Sequence, residues 1–251
     1  MNEVNPQKEL FESMHDLYRE HFFSSGALHW KKKMVWDYIK KFNIDLNDKV
    51  IGEFFCGSGF NSQEILKNYQ PERIVGFDIS ENAVNDFKKL TNQDAFQCDL
   101  SKEFNFEGNT KFDHIFVFGG LHHAYFCLDQ VIKNISKFLK DGGTLIVFEP
   151  LRNTFWDFAR NFWYKHDKFF DETSEYALIP TEVEKHQLEM IGTKYITGPG
   201  YLLVYNSMIL RVPILVANFI SIPLTLVDQL FSYLGLSFFS FCFVGIYQKR
   251  K

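Results

Sequence analysis

The chain has 251 residues, 46% of them hydrophobic and 18% aromatic, with 29 phenylalanines and a formal net charge of −4. That is room for one large domain, or one domain with an elaborate extension, and the near-neutral balance argues against electrostatic capture of nucleic acid or acidic polymers. Cys56, Cys98, Cys127 and Cys242 show neither CxxC pairing nor His/Cys ligand spacing, so no zinc site or disulfide framework is indicated and a reducing cytoplasm is expected.

Charges run through the first twenty residues, against a secretory signal. Leu10, Phe11, Met14, Leu17, Tyr18 and Phe22 recur at helical spacing, and Met34, Val35, Tyr38, Ile39 and Phe42 do so again. Residues 1–46 therefore read as a helical cap with two helices joined near Ser24-Ser25-Gly26. They either pad the domain edge or bring Tyr18, His29 or Trp30 over a bound cofactor.

From Asn47-Asp48 onward, strands and helices alternate with short links, the pattern of a parallel sheet with helices on both faces. Strands are expected at Val50 to Phe55, Arg73 to Asp78, Ala95 to Cys98, Phe112 to Phe118 and Thr144 to Glu149. Ser80 is placed to cap the helix that carries Ala83, Val84, Phe87 and Leu90. The first strand runs through Glu53 into Cys56-Gly57-Ser58-Gly59 and a helix start, where two glycines permit positive φ and helix amides offer partial positive charge. Glu53 would lie at the ligand's ribose or charged tail, a poor neighbour for a pyrophosphate. In such sheets ligands sit at the carboxyl ends of the strands. Glu53, Asp78, Asp99, Gly119 to His123 and Glu149 all fall at that edge. One such acid reads as a solvated cap; four in succession do not.

These residues resemble the class I S-adenosylmethionine-dependent methyltransferases, in particular their small-molecule group with a methyltransferase-11 type of core, over roughly residues 30 to 150. The resemblance implies a doubly wound, seven-stranded, mostly parallel Rossmann-like α/β sheet with an antiparallel C-terminal hairpin, and S-adenosylmethionine as cofactor. It assigns Glu53, Cys56, Gly57 and Gly59 to the methionine moiety and ribose, Asp78 to the ribose hydroxyls and Ile79 to the adenine face. Asp99 falls to the adenine amino group, with Leu100 beside it, and Gly119 to the turn after strand four. Carboxylates suit these places because a ribose diol and an exocyclic amine both donate. Ser62 stands where a dinucleotide fingerprint has Gly or Ala. The family usually has Gly where this chain has Phe55. Phe55-Cys56-Gly57-Ser58-Gly59 also echoes nucleic-acid methyltransferases, but their Asn/Asp-Pro-Pro-Tyr motif is replaced here by Gly119-Gly120-Leu121-His122, and no nucleic-acid partner is expected.

Methyl transfer is an in-line displacement in which positioning dominates, and a hydroxyl acceptor must also lose a proton. His122 and His123 follow strand four, and an imidazole suits that task. His122 is favoured as the acceptor-facing one; otherwise one of the pair caps a carbonyl or packs on a helix. Glu149 and Tyr125 are weaker candidates. The expected function is methyl transfer to a small, hydrophobic or lipid-linked acceptor; the alternative, prompted by Phe55, is a non-catalytic scaffold of the same fold.

Downstream, Phe155, Trp156, Phe158, Ala159, Phe162 and Trp163 read as an aromatic helix over the site mouth. Thr181-Glu182-Val183-Glu184 reads as a capping box opening a helix, Thr193 to Thr197 as a strand, and Ser237 to Tyr247 as the last strand. The core is thus assigned to 47–200 and 237–251. Between them, 201–236 reads as an apolar helical insertion, with Arg211 and Asp228 the charges from Tyr195 to Gln248. Val212 to Val227 is short for a span and holds Pro213 and Pro223. The insertion either lies in the membrane interface, peripheral on its inner face, or roofs a lipid-sized pocket; a dimer interface, an extra core layer and a true span are the other readings.

Overall fold

The computed structural model describes residues 17, 19–106, 110–166, 176–235 and 237–251, with the side chains of 163–166 not described. Tyr18 and the Leu10–Met14 stretch lie outside these residues. The helix α1 (Ser25–Lys31) starts where expected, with the Ser24 hydroxyl accepting from the Ala27 amide, and it continues through a π-helical turn at Lys32–Trp36.

The elements then alternate as β1 (Val50–Phe54), α2 (Phe60–Asn68), β2 (Arg73–Asp78), α3 (Glu81–Thr91), β3 (Asp94–Gln97), β4 (Phe112–Phe118), α4 (Leu128–Phe138), β5 (Leu139–Pro150) and α5 (Asp157–His166). They are followed by β6 (Leu188–Ile196), α6 (Ile214–Tyr233) and β7 (Cys242–Lys249). The seven strands form one sheet in the order β3-β2-β1-β4-β5-β7-β6. The first five are parallel, and β7 runs antiparallel to both β5 and β6.

Strand periodicity explains the two-sided core. Along β4, Ile115 and Val117 join Phe54, Phe77 and the α4 residues Val131, Ile132 and Ile135 on one face. Phe116 points the other way, with Trp30, Met34, Ile51, Phe87 and Phe148. Both faces of the central strands are buried, as a parallel sheet requires.

Two expectations for the C-terminal third differ from the structure. Thr181–Glu184 opens no helix: Pro180–Val183 is a single 3-10 turn, in which the Glu182 carboxylate accepts from the Ile179 amide (2.8 Å). The turn closes at Glu184, two residues with positive φ, His186 and Gln187 (48° and 70°), follow, and β6 begins at Leu188 to pair with Lys249. The last strand begins at Cys242 rather than Ser237, because Ser237–Phe239 turns aside and the buried Ser240 bonds Thr197 (2.6 Å). It also extends to Lys249, whose ammonium donates to the Ser136 and Leu139 carbonyls (2.8 and 3.0 Å) at the carboxyl end of α4, an arrangement favoured by the helix dipole. The apolar insertion, 201–236, holds a 20-residue helix that starts after Pro213 and runs through Pro223.

Candidate active site

A cavity of about 490 Å³ opens at the carboxyl ends of the parallel strands. Its floor is the turn after β1. Phe55 and Gly57 both have positive φ (57° and 50°), and the Gly57 amide donates to Asp78 (2.9 Å) at the end of β2. Asp78 also accepts from the Ser80 amide (2.9 Å), so the carboxylate is oriented from both sides, and burial raises its pKa. Ile79, Asp99 and Leu100 continue the same wall. Burial alone would raise Asp99, but hydrogen bonds from Ser101 and Lys102 hold it below its ordinary value. A Cβ built on Gly57 or on Gly119 (φ 72°) meets nothing within 4 Å, so both backbones face open space that a bound group could fill.

Cys56, Gly57, Asp78, Ile79, Asp99, Leu100, Gly119, His122 and His123 all line this cavity. Glu53 and Gly59 do not, a correction to the sequence reading. Glu53 is buried beneath the start of α2, where it accepts from Asn61 Nδ2 (2.8 Å), the Ser62 amide (3.1 Å) and the Ser62 hydroxyl. Burial pushes its pKa up to about 7 against these bonds and the Lys31 charge. Gly59 is needed for packing: a Cβ there would come within 2.6 Å of the Phe87 ring. Its left-handed φ of 83° lets the chain turn into α2. Burial raises the Cys56 pKa well above its ordinary value, so no thiolate forms there.

The residue out of keeping with the motif is accommodated from across the sheet. Phe55 keeps a left-handed backbone, and its ring lies on Gly120, where a Cβ would come within 2.3 Å of it. Gly120 itself has φ −118°, so its backbone alone would tolerate a side chain. Gly120→Ala is therefore expected to lower stability by about 1–3 kcal/mol through overpacking, and Phe55→Gly in the same chain to restore it; thermal melts of the single and double variants check this.

On the β4–β5 side the two histidines are adjacent, with ring centroids 3.8 Å apart. The His122 Nδ1 lies 2.7 Å from Glu149 Oε2, at the end of β5. Glu149 is buried and also accepts from the Gly120 and Leu121 amides (2.8 and 2.7 Å). A carboxylate held by three neighbours accepts from Nδ1–H, which leaves Nε2 as the basic nitrogen of the ring. Tyr125 is not brought to the cavity. It bonds Arg152 (2.9 Å) and Glu182 (3.3 Å) and packs tilted against Tyr176 (ring centroids 4.7 Å).

The N-terminal segment contributes other residues than those expected. Trp30 is buried, with its indole N–H donating to Asp228 (2.7 Å), whereas Phe22, Phe23 and Lys31 reach the cavity. Lys31 bonds Asn61 (2.8 Å), and burial lowers its pKa. Its sequence signal is a charge on an apolar stripe: Ala27, Lys31 and Val35 recur every four residues and all three are buried. Trp156, from the aromatic stretch expected over the site mouth, also lines the cavity, as do Arg160, Tyr201, Met208 and Phe241, which strand-end chemistry does not identify.

Residues 53–145 match the family model for a methyltransferase domain. No curated protein is similar to the chain in sequence. Among solved structures, the N-methyltransferase NodS from Bradyrhizobium japonicum, in complex with S-adenosylhomocysteine, aligns over 98% of this chain and 100% of its own at 12% identity (TM-score 0.60). A chain of the Haloferax volcanii complex between the Trm112 methyltransferase activator and a methyltransferase aligns over 97% of each at 11% identity (TM-score 0.63). The [4+2]-cyclase SpnF aligns over 87% of this chain and 80% of its own at 15% identity (TM-score 0.56), so one fold carries different chemistries.

Proposed function

Given a class I S-adenosylmethionine-dependent methyltransferase domain, its fold and its cofactor, we propose that this chain methylates a small, apolar or lipid-linked acceptor, at a hydroxyl. The observation that carries this reading is the His122–Glu149 pair set in a cavity whose other wall is aromatic and aliphatic.

The residues fit the cofactor. Asp78 and Asp99 are carboxylates facing the cavity from the ends of β2 and β3, suited to the ribose diol and the adenine amine. Gly57 and Gly119 leave the backbone open to close approach, and Lys31 supplies a cation for the amino-acid carboxylate. When bound, the cofactor supplies an electrophilic methyl group on a sulfonium. The protein's part is to hold the acceptor and take its proton. His122 Nε2 serves as the base, and Glu149 acts as a positioning residue that holds the ring by Nδ1. Phe22, Trp156, Tyr201 and Met208 give the acceptor an apolar seat and keep water away, which favours a hydrocarbon-bearing substrate over a polar one.

Isothermal titration with S-adenosylhomocysteine tests the cofactor assignment. Asp78→Ala is expected to weaken binding on the order of 30- to 100-fold, the value of one charge-assisted hydrogen bond. Unchanged affinity would remove Asp78 from the site. For the acceptor, transfer of labelled methyl from the cofactor into the organic phase of a lipid extract is the expected result; label confined to the aqueous phase would argue for a polar acceptor.

A further inference from the structure

The helix α6 is inside out. Its buried positions are Ala217, Ser221, Thr225 and Asp228, small or polar residues spaced every three or four along one face. That face is fastened to α1: Asn218 Oδ1 accepts from the Gly26 amide (2.7 Å), and Asp228 from the Trp30 indole (2.7 Å). The opposite face carries Leu215, Phe219, Ile222, Leu226, Leu230 and Tyr233, all exposed, at spacings of three and four residues. The normal order of a surface helix is the reverse.

The apolar surface continues beyond the helix. Phe238 and Phe239 follow α6 and stand exposed against Phe155 (ring centroids 6.3 and 5.6 Å), which precedes α5. Phe158, on α5, is exposed too. Phe158, Phe219 and Tyr233 are 84%, 86% and 87% exposed. A side chain of this size and exposure shows on the order of 150–200 Å² of aromatic surface to its surroundings.

We propose that this face is a membrane-docking surface, which seats the chain flat on a lipid bilayer with the cavity mouth beside it. Three observations favour a bilayer over a second protein. At about 1.5 Å per residue the 20-residue helix is about 30 Å long, and its outward stripe has no charge along that length. Protein interfaces carry a polar rim and roughly one hydrogen bond per 100–200 Å², whereas Asn218, Ser221, Thr225 and Asp228 of α6 are turned to the protein and the outward stripe carries one hydroxyl, that of Tyr233 at its C-terminal end. The rim of the cavity also adjoins the patch. Trp156, which lines the cavity, is the neighbour of Phe155, and its indole donates to the Phe239 carbonyl (2.8 Å). The helix is long and apolar enough to cross a membrane by length and composition, but its bonds to α1 hold it against the protein, so it lies in the interface.

The test is flotation of the full-length protein with phosphatidylcholine vesicles. Wild type is expected to float with the vesicles, and to do so equally at high salt because the face carries no charge. In Phe219→Glu/Leu226→Glu the bound fraction is expected to fall tenfold or more, while S-adenosylhomocysteine titration and melting temperature stay those of wild type. Both residues lie outside the cavity, so retained cofactor binding separates this outcome from failure of the functional reading. Wild type that stays in the soluble fraction would overturn the proposal, as would a double variant that floats like wild type. So would a soluble dimer, seen by light scattering, that the double variant dissociates, since a second copy would then cover the face.

Discussion

Replacing His122 by alanine is expected to lower kcat by about 10²- to 10⁴-fold, the usual worth of a positioned general base, with S-adenosylhomocysteine affinity unchanged. The acid limb of the pH–rate profile, which such a base produces, is expected to vanish with it. Glu149→Gln tests the geometry behind that base. A glutamine can still accept from the Gly120 and Leu121 amides, but its amide N–H turned to His122 Nδ1 favours the opposite tautomer and occupies Nε2 with a proton. Its kcat is therefore expected to fall with little change in acceptor KM, whereas a purely structural Glu149 would lower melting temperature and leave the pH profile in place. A His122→Ala enzyme within threefold of wild type would remove the imidazole from the chemistry.

The largest stability effect is expected from Asp228→Ala. The Asp228 carboxylate accepts from the Trp30 indole (2.7 Å) and the Gly200 amide (2.9 Å), and so ties the C-terminal half of α6 to both α1 and the chain after β6, which Ser232 also joins by accepting from the Thr197 amide (3.2 Å). A Cβ on Gly198 or Gly200 would come within 2.1 or 2.5 Å of it. Removing the acceptor leaves two buried N–H groups unpaired, at about 1–3 kcal/mol each, offset in part because a buried carboxylate is itself costly. A net loss of about 3 kcal/mol corresponds to roughly 6–12 °C in melting temperature for a chain of this size. Burial raises the Asp228 pKa to about 6 from 3.8. The folded state therefore binds a proton that the unfolded state has released between those values, and the contribution of Asp228 to stability falls as pH rises through that window. Denaturant unfolding should show the wild-type advantage over Asp228→Ala widest below about pH 4, narrowing to about pH 6 and constant above it. An advantage that widened with pH would contradict the assignment.

Much of the site was legible because its chemistry sits at the ends of strands. Asp78 and Asp99 close β2 and the segment after β3, and the winding of a parallel sheet brings all such ends to one edge, however far apart in sequence. Ser80 could be recognised as a cap because its bond to the Ala83 amide is local (3.3 Å). The errors have the opposite character. Glu53 looked like a ligand-facing acid, but whether it faces the cavity depends on Asn61 and Ser62 folding over it. The Thr181–Glu184 helix failed because pairing with β7 claimed the residues from Leu188 onward, and a local capping pattern carries no information about a partner strand about sixty residues away.

From the order of its residues alone, this protein has a doubly wound sheet, a glycine turn, an acidic edge and a double histidine at the end of its fourth strand. These follow from periodicity and from local chemistry, which act over a few residues. Only the folded chain decides that Phe55 is accepted because Gly120 lies opposite, that Glu149 holds His122, that Lys31 reaches the cavity, and that α6 turns its small polar face inward. Each of these is a contact between distant segments, where the partner's position sets whether a side chain is buried, paired or exposed.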